Sequence, residues 1–167
     1  MPLAYLPFAY LHQTQIMPSP SIDVYIAHGW GLNNVIGYVN SSFNNNQLQV
    51  LKQSGIKQIY INPDNDLGGK NGTIKMIYDL LNNKMQPFVF CLDDQYKDLN
   101  DLFVKLGGEE AKKVFQEQFN SSINGIDWLT NYLINLDKNN RVKEFLNIIS
   151  KLTYQEHKTI IATKLLK

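Results

Sequence analysis

The chain has 167 residues, 44% of them hydrophobic, with nine Tyr and eight Phe, which marks a globular protein with one real core and room for a small appended unit. A net charge of +1 removes any global electrostatic case for nucleic acid or an acidic partner. The single cysteine, Cys91, excludes an internal disulfide, and no apolar run is long enough to span a bilayer. The N-terminus lacks a basic region and is broken by Pro2, Pro7, Pro18 and Pro20, which argues against a secretory signal and for a cytoplasmic protein.

Residues 1–20 have no clear period and are expected to form an irregular lead-in or an edge strand. Residues 22–27 read as a first strand and residues 35–39 as a second, with a loop or helical turn around Trp30 between them. Ser41, Ser42 and the asparagine run precede a helix around 47–51. A third strand is expected over 56–62. Ile74, Ile77, Tyr78 and Leu81 then fall at helical spacing, and a fourth strand is expected over 85–92, with Cys91 buried inside it.

Strands alternating with short helices predict a mostly parallel sheet whose ligands sit at the carboxyl ends of the strands. From Leu99 onward the pattern is helical only. One face carries Leu99, Leu102, Phe103 and Leu106; further helices are marked by Ala111 to Phe119, Ile126 to Leu136 and Val142 to Leu152. Thr153 and Glu156 are spaced as a capping box for a last helix. The expected organisation is an α/β domain over 1–98 and a helical C-terminal subdomain over 99–167.

The third strand leads into Asn62-Pro63-Asp64-Asn65-Asp66-Leu67-Gly68-Gly69-Lys70. Side chains two apart at a strand end point the same way, so Asp64 and Asp66 are placed to share one divalent cation with oxygen ligands. Gly68 and Gly69 permit a tight turn and close backbone approach to a charged ligand. A calcium loop starting at Asp64 would need Glu at its twelfth position, where Lys75 stands. A P-loop fails because Asp64 and Asn71 occupy positions that require Gly and Ser or Thr. A plain surface turn remains the rival reading of this segment. Lys70, Lys75 and Lys84 flank the segment as phosphate contacts or as a solvated helix face. His12, His28 and His157 lack ligand-like spacing, and Trp30 is either a core residue or a base-stacking platform.

This order of motifs resembles the Toprim fold of bacterial DnaG-type primases followed by their helical subdomain, over residues 16–167. The Asp-x-Asp and following glycines are matched by Asp64-Asn65-Asp66-Leu67-Gly68-Gly69. The family's opening Glu-Gly-Tyr-x-Asp falls on 19–23, where Asp23 matches but Ser19 replaces the Glu. The later acidic loop falls on Lys97-Asp98-Leu99-Asn100-Asp101, with Asp98 in the first acidic position and Asn100 in the second.

The resemblance implies an α/β, Toprim-like, mostly parallel four-stranded sheet flanked by helices, with a helical C-terminal extension. It implies magnesium or manganese on Asp64, Asp66 and Asp98, with Asp23 in support, and phosphate at Lys70, Gly68 and Gly69. The expected reaction is nucleotidyl transfer making RNA primers in DNA replication, with single-stranded DNA template and nucleotides as substrates. A replicative helicase or another replisome protein is the expected partner. The family's upstream zinc module and basic segment have no counterpart, so no zinc is expected and the chain reads as a fragment or short relative of a primase. The missing Glu favours an impaired enzyme, or a non-catalytic Toprim-like module that binds nucleic acid or a replication partner.

Overall fold

A computed structural model describes residues 14–18, 21–37, 42–63 and 67–166. Four strands, β1 (Thr14–Pro18), β2 (Gln58–Asn62), β3 (Gln86–Val89) and β4 (Ile123–Asn124), lie in the order β1-β2-β3-β4. β2 is parallel to both β1 and β3, and β4 closes the far side antiparallel to β3. The sheet is therefore mostly parallel and four-stranded, as expected, but only two of its strands are the expected ones.

Residues 22–27 are not a strand; they belong to the helix α1 (Ser21–Gly29). Asp23 and Ala27, four apart, are both buried while Ile22 and Tyr25 face solvent, which is helical periodicity. The β-branched composition of the segment concealed it. Val35 makes only an isolated bridge, and residues 38–39 lie outside the described residues. The place at the sheet edge is taken by β1, within the stretch read as a lead-in or an edge strand.

Helices α2 (Asn45–Gln53) and α3 (Leu67–Asn82) carry the chain between parallel strands. α2 opens on a capping box between Asn44 and Gln47, with bonds of 2.9 and 3.0 Å. The rest is α4 (Leu99–Leu106), α5 (Gly108–Asn120), α6 (Gly125–Ile134), α7 (Lys138–Lys151) and α8 (Gln155–Leu165). α8 does not use the expected capping box. Its cap is Tyr154, which makes no side-chain cap bond, and the Thr153 amide instead donates to Asn82 Oδ1 at 2.7 Å. Asn82 Nδ2 also donates to the Lys151 carbonyl at 2.8 Å, tying the end of α3 to the α7–α8 link.

Alternation along β2 divides the core in two. Ile59 and Ile61, both 0% exposed, face a cluster with Met76, Ile77 and Leu80 of α3 and Leu129 and Leu133 of α6. Tyr60 faces the other way, stacked on Phe88 at 4.8 Å and against Phe119 at 4.6 Å. Trp30 packs on Phe115 and Phe103, with centroids 5.6 and 6.5 Å away, and so serves this second cluster. Both faces of β2 are covered, the arrangement a parallel strand needs.

Where α3 ends, the Met85 amide donates to the Leu80 carbonyl and the Lys84 amide to the Leu81 carbonyl, a Schellman closure with Lys84 at the left-handed position (φ 59°). Glycine is the usual residue there, and lysine holds that conformation at a cost of about 1–2 kcal/mol. This end of α3 lies at the strand beginnings, so Lys84 is at the opposite edge of the sheet from Asn62, where β2 ends.

Candidate metal and phosphate site at the carboxyl edge of the sheet

β2 is one of the two interior strands, and its last residue, Asn62, is buried, with Nδ2 donating to the Phe90 carbonyl at 3.2 Å. That bond joins the carboxyl ends of β2 and β3. Asn62 was not a sequence candidate, although a polar residue ending an apolar strand before Pro63 is the signal that marks it. Asp64 and Asp66 follow directly and lie outside the described residues. α3 resumes at Leu67, so Gly68, Gly69 and Lys70 all sit in its first turn. The Gly69 carbonyl accepts from Thr73 Oγ1 at 2.7 Å. The amino end of α3 thus points its amides at the edge where a parallel sheet binds ligands, and favours negative charge there.

Lys70 is close enough to Cys91, just past β3, for its charge to act on the thiol. Cys91 is exposed and lies beyond the strand, correcting its expected place in the core. Shielding of its sulfur pushes the thiol pKa up, helped by the Asp94 carboxylate and opposed by Lys70 and by a hydrogen bond with Trp128. The thiol stays protonated at neutral pH. Lys75 is turned to Asp79, 2.5 Å away on the next turn of the same helix.

The other two candidate carboxylates meet at the first turn of α4. Asp98 is its N-cap, with Oδ1 accepting from the Asp101 amide at 2.8 Å. Asp23, 2% exposed, comes in from α1, and its Oδ1 accepts from the Asn100 amide at 3.0 Å. Two amides at the positive end of α4 are satisfied by two carboxylates from distant parts of the chain. Asp101 adds a third carboxylate in the same turn. Its Oδ2 accepts from Lys105 Nζ at 2.8 Å and from the Lys97 amide at 3.1 Å, which holds its pKa below the ordinary carboxylate value.

Hard carboxylate oxygens at a strand end are suitable donors for magnesium. Among the described residues no group of three metal-ligating side chains is gathered. Asp23 and Asp98 each commit one oxygen to α4. His28 is ordinary, its Nε2 being 2.9 Å from the Val35 carbonyl.

Residues 21–103 match the Toprim-like family. The uncharacterized protein MG010 of Mycoplasma genitalium is 38% identical over 74 residues, which are 44% of this chain and 34% of that protein. The zinc-binding and RNA polymerase domains of Aquifex aeolicus primase superpose with a TM-score of 0.69 at 20% identity, over 95% of this chain and 38% of that one. A DnaG primase catalytic domain bound to single-stranded DNA gives 0.67 at 17% identity, over 92% and 50%. The chain thus spans about a third of the Mycoplasma protein and half or less of these two primase chains. Among the described residues, no helix is long and apolar enough to cross a membrane. Residues 21–103 have the Toprim-like fold, and the chain that carries them shares the fold of part of the DnaG-type primase catalytic core.

Proposed function

We propose that this chain is the catalytic core of a primase-like nucleotidyltransferase, with residues 1–98 as the Toprim-like domain and 99–167 as its helical subdomain. What supports the reading is that β2, an interior parallel strand, ends at Asn62 and α3 starts at Leu67, and that the sequence between them carries Asp64 and Asp66. Asp64 and Asp66 hold magnesium or manganese, and Asp98 joins them through its second carboxylate oxygen. When bound, the cation neutralises and orients phosphate. Lys70 and the amides of Gly68 and Gly69 meet the same phosphate oxygens. In the transfer, the 3′-hydroxyl of the primer attacks the α-phosphorus of a nucleotide paired to a single-stranded DNA template, and pyrophosphate leaves. A DnaG catalytic domain has been solved with single-stranded DNA, which supports that template here. A replicative helicase or another replisome protein is the proposed partner, in the cytoplasm.

A second reading, a non-catalytic Toprim-like module binding nucleic acid or a replication partner, draws on two observations. Asp23 and Asp98 are engaged by α4, and Ser19 stands where the family has its Glu. Thermal melting with magnesium separates the two. The wild-type chain is expected to gain stability as magnesium rises, by about 2.7 kcal/mol at a hundred times the dissociation constant. Asp64→Ala/Asp66→Ala is expected to gain none. Equal behaviour of the two proteins removes the metal site and with it the enzyme. A primer-synthesis assay on Ser19→Glu then asks whether the absent carboxylate limits the rate; a proton-transfer group is worth typically about 10²–10⁴-fold.

A further inference from the structure

At the opposite edge of the sheet, where β2 and β3 begin, a cavity of about 700 Å³ opens between the sheet and α8. It is of the size that takes a small organic ligand. Two lysines line it from the strand beginnings, Lys57 before β2 and Lys84 before β3, and the Lys57 carbonyl accepts from the Gln86 amide at 2.7 Å. Tyr154 and His157 line it from α8, with their rings edge to face at 5.8 Å and the Lys84 ammonium 5.9 Å from the Tyr154 ring centre.

Three features of this lining need a cause. Lys84 is the only non-glycine residue with positive φ among the described residues, at a helix end where glycine fits better. Its side chain nevertheless stands at the mouth of the cavity. His157 Nδ1 is buried with no hydrogen-bond partner among the described residues, while its Nε2 is 3.7 Å from Glu156, the one carboxylate in the lining. The amino end of α8 lacks a side-chain cap, so the field there adds to that of the lysines. Two ammonium groups and a helix amino end outweigh one exposed carboxylate.

We propose that this cavity binds a phosphate-bearing small molecule of nucleotide size, with its phosphate between Lys57 and Lys84 and its flat ring against Tyr154 and His157. Five residues of β2 separate it from the carboxyl edge, where β2 ends at Asn62, a span of about 16 Å, so one ligand does not fill both. The proposal does not depend on primase activity.

The test is a titration of the full chain with AMP and, separately, with inorganic phosphate, followed by the ring signals of His157 and Tyr154 in NMR spectra. Asp64→Ala/Asp66→Ala serves as the background, which removes metal-dependent binding at the carboxyl edge, and the His157 and Tyr154 rings report the opposite edge. AMP is expected to shift both rings saturably, and phosphate to do so more weakly. Lys84→Gly places the favoured residue at a left-handed position, so it is expected to melt no lower than its parent while binding AMP about tenfold more weakly. Lys57→Ala is expected to weaken binding in the same direction. Ring signals unmoved by millimolar AMP, or an affinity that Lys84→Gly leaves unchanged, overturn the proposal.

Discussion

Asp23 is the residue where a functional expectation meets a structural duty. Its carboxylate is almost fully enclosed and takes the Asn100 amide. Removing it strands a half-buried backbone donor, and Asp23→Ala is expected to cost about 1–3 kcal/mol in urea unfolding. Asp98→Ala deletes an ordinary cap on the same turn and is expected to cost about 0.5–2 kcal/mol. A larger loss at Asp98 than at Asp23 would contradict the burial argument. Asp101 makes a pH prediction of known sign. Its folded pKa is depressed from 3.8, first by the Lys105 hydrogen bond and then by the Lys97 amide. A depressed carboxylate stabilises the fold above its unfolded pKa and loses that contribution as the pH falls through the folded value. The effect is exposed and screened by salt. Asp101→Asn is therefore expected to shallow the acid limb of the stability curve below about pH 4, and more so at low ionic strength than at high.

At the scale of elements, α6 is seated on β3 with no spare room. A Cβ on Gly125 would come within 2.7 Å of the Pro87 ring and 3.1 Å of Ile77. Gly125→Ala is expected to destabilise by about 1–3 kcal/mol through overpacking, read as a lower melting temperature. A neutral result would show that α6 shifts freely on the sheet. Asn82 bridges α3 to the α7–α8 link with both ends of its amide, and Asn82→Ala is expected to cost a similar amount.

Most helices read correctly from sequence, α3 and α4 to α7, carry an apolar period; α2 was legible from its polar cap, and α8 was expected from a capping box that it does not use. β2 and β3 were legible from apolar runs. α1 was misread because Ile22, Val24 and Ile26 suit a strand equally well, and only the packing of Asp23 and Ala27 decides between them. β1 bears out the edge strand offered for residues 1–20, but its bounds were not legible, because such a segment becomes a strand only when β2 lies beside it. For the site, spacing says nothing of hydrogen-bond partners, so the capping of α4 by Asp23 and Asp98 was invisible.

For the whole molecule, the two apolar clusters share the sheet as a common wall, and each draws residues from both sides of position 99. Trp30 packs against one cluster and Trp128 against the other. Variants keeping a single tryptophan are therefore expected to melt at one common midpoint, whichever ring is followed, as a cooperative unit does. Two separated midpoints would mean that each face of the sheet folds alone. The capping of α4 couples the same architecture to any cation at the carboxyl edge. An ion that drew Asp98 fully into its shell would fray the opening turn of the helix, so tight coordination there competes with helix order. The chain would then grip its metal loosely, and order in that turn would act as a brake on loading.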